Sequence, residues 1–316
     1  MQNISPIELK KFVEENPKLV TRKESKRYPG LFVLKYGREV FYKNLWHVNP
    51  LLLECRGLVV DSDYNVIVKP FTKVFNYGEN GTTIDRDEEC TWARKVNGFL
   101  GVVTYDSTVK EDGLIYSTTG SLDSDFVDLI AKHVEPLKDA IMGLTRVGVN
   151  KFKTTLMFEI CDPSDPHIIT EEEGAWLIGC DLHYDSISSG DMAAETTLDY
   201  IAKMIGAKRA ECGVGRFSDI VKMANECDHE GYMVYGHQSG TALKIKSPYY
   251  LVTKFLARAG EKKLLSTILS GDPSARERID EEYYPLIDHL ATIPGQFNEM
   301  DEQTRIAYVR KFLENK

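Results

Sequence analysis

The sequence contains no uninterrupted apolar run of the roughly 18–20 residues that a membrane-spanning helix requires. Its opening stretch, MQNISPIELKKFVEE, carries charges throughout, so it predicts an amphipathic helix rather than the apolar core of a secretory signal. Internal repeats and low-complexity tracts are also missing. These absences lead us to expect a globular protein of the cytoplasm, with no membrane partner.

The six cysteines include no C-x-x-C pair. The pattern therefore gives no indication of a zinc ribbon or of a thioredoxin-like redox site. In a chain of 316 residues, reduced and mostly buried thiols are the expectation. A chain of this length can hold one large domain and a smaller one.

A net basic charge is missing as well, because the formal net charge is −9. A protein that only coats nucleic acid usually carries a basic excess, so this balance argues against a simple nucleic-acid binding module. The charge is nevertheless uneven, since residues 1–50 hold ten Lys and Arg against five Asp and Glu. The densest part, PKLVTRKESKR (17–27), is either a solvated loop or a surface that faces phosphates.

Short segments rich in β-branched and aromatic residues predict strands between about residues 31 and 250. These segments are LFVLKY, EVFYK, RGLVVD, NVIVKPF, GFLGVVTYD, GLIYSTTG, TTLMFEIC, AWLIGCD, GYMVYG and ALKIKS. LFVLKY and EVFYK are predicted to alternate around a turn at Gly37, and DSDYN (61–65) is predicted as a hairpin turn. Residues 124–142 have helical spacing, with Ser124 as the expected cap.

The pattern changes after Lys246. Residues 249–316 contain three helix-like stretches, near 249–270, 276–291 and 301–315. The sequences Gly271-Asp272-Pro273 and Ile293-Pro294-Gly295 are predicted to separate them. We therefore predict an α+β fold, with a sheet-rich domain at 1–248 and a small all-helical C-terminal domain at 249–316.

Lys95-Val96-Asn97-Gly98 is the first motif that could carry chemistry. A lysine that attacks phosphorus must be a neutral amine, and a pKa near ~10.4 leaves only about 0.1% of it neutral near pH 7.5. Nearby cations and partial desolvation lower the pKa of such a lysine. The glycine permits a tight turn and a close approach of the backbone to a nucleotide. Alone, the motif is weak evidence.

Lys110-Glu111-Asp112-Gly113 is a competing string, and it fits the pattern K-x-D-G better. Two strand-like runs, GVVTYD and GLIYSTTG, flank it, so the residues between them are predicted as the exposed turn of a hairpin. A turn lysine among solvated charges has no reason to lose its proton. The setting therefore favours Lys95.

Leu243-Lys244-Ile245-Lys246 is the second candidate motif. As a strand, it would place both lysines on one face and the two apolar side chains on the other. Two cations on an inward face would bind phosphates and would depress the pKa of a neighbouring lysine. An edge strand with solvated lysines is the alternative.

Three further charged residues interrupt or adjoin apolar strands. Glu159 lies within LMFEI, where an ionised carboxylate needs a partner such as a ribose hydroxyl or a structural cation. Glu230 begins EGYMV and could hold a magnesium ion or the ammonium of the nucleophile. Arg56 lies between the apolar runs of LLLECRGLVVD, where a guanidinium needs an anionic partner.

The order of these motifs along the chain resembles that of the covalent nucleotidyltransferases, which comprise ATP-dependent ligases and mRNA capping enzymes. Three longer strings, LECRG (53–57), KPFTKVFNYGE (69–79) and KIKSPYY (244–250), resemble the bacteriophage tRNA-repair ligases of the RNA ligase 1 family. The resemblance extends from about residue 30 to 270. It also selects Lys95 over Lys110, because the family's nucleophile follows the phenylalanine-asparagine string by a short acidic segment and precedes a hairpin.

The resemblance implies an antiparallel-sheet nucleotidyltransferase domain and an ATP-dependent RNA ligase. Lys95 would attack the α-phosphorus of ATP, form lysyl-AMP and release pyrophosphate. The AMP would then pass to an RNA 5′-phosphate, and a 3′-hydroxyl would displace it to seal single-stranded or nicked ends. RNA and ATP are the expected partners, and a monomer is the expected state. Mg²⁺ is the expected cofactor, because pyrophosphate is a charged leaving group.

The resemblance also assigns roles to residues at matching positions. The implied nucleotide-binding residues are Tyr36, Arg56, Lys73, Lys95, Glu159, Glu230, Lys244 and Lys246. Among them, Glu159 would hold the ribose, and Lys244 and Lys246 would contact the α-phosphate and assist catalysis by Lys95. Glu230 and Asp272 are the implied metal residues.

The chain departs from the family at several positions. Asn97 stands where the family usually has Asp, and Ser117 and Thr119 stand where it has lysines. Asp272 is displaced relative to the family's metal-linked acid, and the C-terminal segment is shorter than the family's tRNA-reading domain. Specificity for a broken anticodon loop therefore does not carry over.

Two alternatives to an RNA ligase remain. A DNA ligase or an mRNA capping guanylyltransferase could use the same scaffold, although both usually append an OB-fold where helices are predicted here. A nucleotide-binding protein without catalysis is the other alternative. The complete set of charged residues argues against it.

Overall fold

The computed structural model of the chain describes residues 4–106, 109, 113–146, 153–183, 187, 191–192, 194–259, 264–279 and 281–314. The chain divides into two compact units. The first comprises Met1–Lys73, Gly98–Pro166 and Glu171–Ala210, and the second comprises Val74–Asn97, His167–Thr170 and Glu211–Lys316. The boundary predicted near residue 248 falls inside the second unit, where a strand ends and a helix begins. The division into domains 1–248 and 249–316 stays a prediction.

The described strands and helices follow one another along the chain. The strands are β1 Val20–Glu24, β2 Phe32–Tyr36, β3 Arg56–Val60, β4 Val66–Val68, β5 Phe75–Asn76, β6 Glu89–Arg94, β7 Phe99–Tyr105, β8 Leu114–Ser117, β9 Lys153–Cys161, β10 Gly174–His183, β11 Asp191–Met192, β12 Cys212–Arg216, β13 Gly231–Gly236 and β14 Ala242–Lys246. The helices are α1 Pro6–Glu15, α2 Arg38–Tyr42, α3 Leu51–Glu54, α4 Asp125–Val134, α5 Lys138–Arg146, α6 Glu195–Ile205, α7 Phe217–Glu226, α8 Pro248–Ala259, α9 Leu264–Leu269, α10 Tyr284–Leu290, α11 Pro294–Glu299 and α12 Glu302–Glu314. Within these ranges, no helix combines the length and the apolarity needed to cross a bilayer.

The first unit contains two antiparallel sheets that pack face to face. One sheet has the order β1-β2-β3-β4, and the other has the order β11-β10-β9-β7-β8. Val33, Val59, Val102 and Met157 lie in the core between them, and each is at most 4% exposed. Burying an aliphatic side chain of this size contributes on the order of 1.5–3 kcal/mol relative to leaving it exposed. Residues of α4, α5 and α6 cover the other face of the second sheet.

The second unit contains one sheet, with the order β12-β6-β13-β14-β5. Its pairs are antiparallel except for β14 and β5, which run parallel. Phe217, Ile220 and Ala224 of α7 pack on this sheet against buried Val234 and Leu243. The helices α8 to α12 share a separate apolar core. Antiparallel sheets followed by a helical region confirm the predicted fold class.

One predicted strand is wrong. EVFYK was expected to be a strand, but residues Arg38–Tyr42 form the helix α2. The physical reason is that β2 already has a partner on each side, β1 and β3, so β2 itself has no free side with which this segment could form a hairpin. The other predicted strands are confirmed, and so is the hairpin turn between β3 and β4. In that turn, Asp61 Oδ1 accepts hydrogen bonds from the amides of Asp63 and Asn65.

The segments predicted to be helical contain helices, but the helices begin and end at other residues than predicted. Residues 124–142 form two helices, α4 and α5, joined by a 3₁₀ turn at Glu135–Leu137 that contains Pro136. Ser124 occupies the N-cap position of α4, but its side chain makes no capping hydrogen bond. Pro294 was predicted to separate helices, and instead it begins α11. Proline is tolerated at the first position of a helix, because the missing N–H has no partner there.

Candidate active site

Lys95 lies in the second unit, one residue after β6. Its backbone N–H donates to Gly231 O at 2.8 Å, which ties it to the start of β13. Its Nζ donates to Glu230 Oε2 at 2.9 Å. The side chain of Glu230 is 4% exposed and that of Lys95 is 21% exposed. Because a buried carboxylate without a partner is costly, this ion pair accounts for an acid at the start of an apolar strand.

Glu230 is ionised at neutral pH. Burial raises the pKa of this carboxyl group, but the charges of Lys95 and Lys246 and the hydrogen bonds from Lys95 and Asn97 more than offset burial, so the pKa lies below its ordinary value. An adjacent anion favours the ammonium form of a lysine. From the sequence, Lys244 and Lys246 were expected to favour the neutral form of Lys95. That expectation leaves out Glu230, the anion that Lys95 contacts.

Asn97 completes this group and is 5% exposed. Its Nδ2 donates to Glu230 Oε2 at 2.7 Å, and its Oδ1 accepts from the backbone N–H of Ile169 at 2.9 Å. An amide can donate to a carboxylate and accept from a backbone N–H at the same time, whereas an ionised aspartate can only accept. The departure from the family's Asp therefore has a local reason, since an aspartate would place a second negative charge against Glu230.

Lys244 and Lys246 are both half-buried, whereas Leu243 and Ile245 are 0% and 5% exposed. This alternation confirms that the two lysines of β14 share one face, away from the apolar core of the sheet. Lys246 Nζ donates to Glu282 Oε1 at 2.6 Å, and both side chains are nearly buried.

Glu282 was not among the site residues predicted from the sequence. Its Oε1 also lies 3.8 Å from Lys254 Nζ, and its Oε2 lies 3.5 Å from Asn76 Nδ2. It follows Lys246 by 36 residues and lies in the 3₁₀ turn Glu281–Tyr283. The local string EEYYP carries no signal for this contact, because an acidic pair before a helix is ordinary on a surface.

In the first unit, Glu159 lies in the middle of β9 and is 9% exposed. Its Oε1 accepts a hydrogen bond from the backbone N–H of Gly98 at 3.0 Å. A side chain at position 98 would bring its Cβ within 2.3 Å of Ile160 O, so only glycine fits beside this strand. The glycine of the lysine motif therefore has a structural cause, and its approach to a nucleotide stays a prediction.

Tyr36 and Lys73 lie around Trp46 in the first unit. The rings of Tyr36 and Trp46 meet edge to face, with centroids 4.8 Å apart. Lys73 Nζ lies 4.9 Å from the centroid of the Trp46 ring. A cation over an indole face contributes about 0.5–2 kcal/mol. Trp46 was not among the predicted site residues, although an aromatic residue in the polar stretch KNLWHVNP was an available signal.

Two predicted residues lie apart from these contacts. Arg56 begins β3 in the first unit, is half-buried, and lies opposite Lys35 of β2. Asp272 is exposed in the second unit, where it caps the 3₁₀ turn Pro273–Glu277 by accepting from the N–H of Ser274. That hydrogen bond lowers the pKa of Asp272. Capping explains this acid without a metal ion, and its metal role stays a prediction.

The second unit offers the groups that a nucleotide and a divalent cation need. Lys244 and Lys246 can donate to phosphates, and Glu230 supplies a carboxylate. Asn76 Oδ1 is buried and has no hydrogen-bond partner among the residues described above. Carboxylate and amide oxygens of this kind suit Mg²⁺. The residues present therefore fit ATP and magnesium.

Lys110 lies outside the described residues. The strands on either side of it, β7 and β8, form an antiparallel pair in which Tyr105 lies opposite Leu114. The strand-like runs that flanked the rival lysine in the sequence are therefore confirmed as paired strands.

Comparison with known proteins identifies relatives at the level of family and fold. The model of a family described as RNA ligase matches residues 54–255. An archaeal ATP-dependent RNA ligase is similar in two solved forms. Form 2 has a TM-score of 0.58 at 11% identity, over 98% of this chain and 76% of that one. Form 1 has a TM-score of 0.55 at 12% identity, over 96% and 74%.

A Naegleria gruberi RNA ligase solved with PPi is also similar, with a TM-score of 0.40 at 16% identity. It covers 52% of this chain, which spans 51% of that one. No curated protein sequence matches the chain. The archaeal likeness shows that the chain shares the fold of that ligase.

Proposed function

The chain belongs to the RNA ligase family, and we propose that this ATP-dependent ligase seals RNA by carrying AMP on Lys95. The observation that supports Lys95 most directly is the 2.9 Å contact between its Nζ and the buried carboxylate of Glu230. This contact fixes the position of a partly accessible amine in the same unit as the cationic face of β14.

In the first step, Lys95 Nζ gives up a proton to the solvent and forms a bond to the α-phosphorus of ATP, while the bond to pyrophosphate breaks. Glu230 holds the amine of Lys95 in place, so that its attack on an ATP molecule bound in the same site is effectively intramolecular. Lys244 and Lys246 donate to the α-phosphate and neutralise the charge that develops there. The product is lysyl-AMP.

In the second step, an oxygen of the RNA 5′-phosphate attacks the AMP phosphorus. The bond between phosphorus and Lys95 Nζ breaks, and the amine recovers its proton. In the third step, a 3′-hydroxyl attacks the 5′-phosphorus and gives up its proton, and AMP leaves. One phosphodiester bond forms for each ATP that is split into AMP and pyrophosphate.

The first unit is proposed to contribute nucleotide contacts. Glu159 would accept hydrogen bonds from the ribose hydroxyls, while Arg56 and Lys73 would contact phosphates. Tyr36 would contact the nucleotide from beside Trp46.

Magnesium would be held by Glu230 and Asp272, and it would supply positive charge for the pyrophosphate leaving group. The buried, unpartnered Oδ1 of Asn76 supports a cation or its water in this unit. RNA repair, including tRNA repair, in the cytoplasm of a bacteriophage-infected cell is the proposed setting.

The test is to incubate the protein with magnesium and ATP labelled at the α-phosphate, without RNA, and then to denature it. Label is expected to stay on the protein, to vanish in Lys95→Ala and to persist in Lys110→Ala. A thermal unfolding curve of each variant shows whether it folds. The absence of acid-labile, protein-bound AMP in the unsubstituted enzyme would overturn the proposal.

Two parallel reactions separate the related activities. GTP labelled at the α-phosphate would label a capping guanylyltransferase, and no label is expected here. Sealing of RNA strands but not of DNA strands is expected of an RNA ligase. Preferential sealing of nicked DNA would instead assign the enzyme to the DNA ligases.

A further inference from the structure

Lys35 of β2 and Arg56 of β3 lie directly opposite each other in the first unit. Opposed residues of an antiparallel pair project from the same face, with Cβ atoms about 4.5–5.5 Å apart. Lys35 is exposed and Arg56 is half-buried. Across the described part of the chain, no acidic side chain forms an ion pair with either of them. Like charges this close are destabilising, so the pair is suited to an anion from outside the chain.

A backbone bulge creates this pair. The register of β2 and β3 shifts between Leu34 and Lys35, so that Arg56, and not Gly57, lies opposite Lys35. Gly57 has a φ of 90°, a conformation that favours glycine. A Cβ at this position would lie 2.7 Å from Thr119 Cα, so the turn after β8 packs directly on the bulge.

The same face continues onto β1. Thr21 lies opposite Lys35, and Lys23 follows two residues later on the same side of the strand. β1 is an edge strand of its sheet, and four of its five residues are exposed. We call Thr21, Lys23, Lys35 and Arg56 the basic strip. It crosses three neighbouring strands, which lie about 4.8 Å apart.

We propose that the basic strip binds the phosphate backbone of the RNA substrate, and that Arg56, at the inner end of the strip, also makes the contact to a nucleotide phosphate proposed for it above. The inference rests on the proposed function, since it names the surface that receives the RNA. A row of cations that spans three strands matches a repeating anion better than a single phosphate. In a chain of net charge −9, a local cationic surface is also what attracts a polyanion. Of the basic residues in the stretch 17–27, the strip assigns Lys23 to a phosphate-facing surface, whereas Arg27 pairs with Asp128 and Arg22 lies over the ring of Phe32.

The experiment compares Lys23→Glu and Lys35→Glu with the matched control Lys203→Glu. Lys203 is an exposed lysine of α6 in the same unit, so all three variants change the net charge equally. Affinity for a 5′-phosphorylated single-stranded RNA is measured by fluorescence anisotropy at several salt concentrations. Self-adenylylation is measured separately, without RNA.

Lys35→Glu is expected to lower RNA affinity about tenfold or more, and to make the slope of log affinity against log salt shallower by about 0.7 for each lost phosphate contact. Lys23→Glu is expected to act in the same direction, and Lys203→Glu to change affinity little. Self-adenylylation is expected to stay unchanged in all three. Lys35→Gln removes the charge without reversing it. A loss of RNA affinity in this variant at an unchanged unfolding temperature shows that the loss does not come from misfolding.

Three other outcomes would count against RNA binding by the basic strip. Unchanged RNA affinity in both strip variants would overturn it, and so would an equal loss in Lys203→Glu, which would indicate a net-charge effect. A raised KM for ATP in Lys35→Glu would assign that lysine to the nucleotide. If the unsubstituted protein forms no protein-bound AMP, the proposed function fails, whereas the affinity measurements still decide whether the strip binds RNA.

Discussion

Asn97 and Lys95 donate hydrogen bonds to the same oxygen, Oε2 of Glu230, at 2.7 and 2.9 Å. One carboxylate oxygen therefore fixes both the proposed nucleophile and the residue two positions after it. The arrangement depends on Asn97 being a donor, because the buried site offers no solvent to take its place.

We expect Asn97→Asp to weaken both stability and adenylylation. The new carboxylate would face Glu230 inside a buried site, and one of the two groups would have to take up a proton. The predicted loss is about 1–3 kcal/mol in the free energy of unfolding, together with a large fall in the rate of protein-AMP formation. Urea unfolding and α-phosphate labelling measure the two effects.

The matched control is Asn225→Asp, at an exposed position of α7 in the same unit. It makes the same chemical change away from Glu230. Equal behaviour of the two variants would show that the Asn97 amide is dispensable.

Glu282→Gln is expected to lower the KM for ATP in self-adenylylation. Glu282 Oε1 lies 2.6 Å from Lys246 Nζ, so the carboxylate competes with any phosphate for that lysine. Glutamine still accepts a hydrogen bond but carries no charge. Because the pair is nearly buried, its strength should reach or exceed the upper end of the range for exposed ion pairs, about 1 kcal/mol, which predicts a fall in KM of about fivefold or more.

Glu299→Gln, at an exposed position of α11, is the control for the change in net charge. A KM that rises in Glu282→Gln while the control stays unchanged would mean that Glu282 assists nucleotide binding. That result would contradict competition between Glu282 and the phosphate.

Asp162 predicts a dependence of stability on pH. Hydrogen bonds from Lys132 and Ser164 hold the pKa of this carboxyl group well below its usual range, and a contact with His133 adds to them. A carboxyl group with a depressed folded-state pKa stabilises the fold above its ordinary pKa, near ~3.8, and loses that contribution as the pH falls further.

The penalty of Asp162→Asn, on the order of 1–3 kcal/mol, should therefore be constant from neutral pH to about pH 5 and should shrink below about pH 4. Unfolding by urea at a series of pH values measures it. Asp139→Asn, on the exposed surface of α5, serves as the control. A penalty that grows on acidification would contradict the assignment.

Gly57→Ala is expected to be strongly destabilising, by more than about 2 kcal/mol. The substitution combines a strained φ of 90° with a Cβ placed 2.7 Å from Thr119 Cα. Gly30→Ala is an apt control, since Gly30 has a φ of 84° and its Cβ would meet nothing within 4 Å. The difference between the two unfolding free energies isolates the clash, and the absence of a difference would mean that the turn after β8 moves aside easily.

Some features of the site could be predicted from the local sequence, and others could not. Alternation in LKIK was enough to place Lys244 and Lys246 on one face, because side-chain direction in a strand follows from period two alone. The acid of Glu230 was recognisable because it adjoins an apolar strand. The helix α2 was not predicted, because whether this segment forms a strand depends on whether β2 has a free side to pair with it. Both sides of β2 are already paired, with β1 and β3. Sequence patterns do not record that information.

The contacts of Glu282 and Asn97 could not be predicted either, because their partners lie far away in the sequence. Each depends on which oxygen of a distant carboxylate lies within reach of a particular side chain. Glu282 contacts a lysine 36 residues earlier, and Asn97 contacts an acid 133 residues later. The substitution of Asn for Asp could be noticed in the sequence, but its reason could not.

The long separation between Lys95 and Glu230, 135 residues, also governs how the protein is made. A ribosome adds about 5–20 residues per second, so the carboxylate follows the lysine after roughly 7–27 seconds. Through most of that interval β6 has been synthesised and neither of its partners has, because β12 begins at Cys212 and β13 at Gly231. The nascent chain therefore exposes an unpaired strand and the amine of Lys95 without the carboxylate that it contacts in the folded protein. A ribosome that stalls before Glu230 yields a chain in which this contact cannot form.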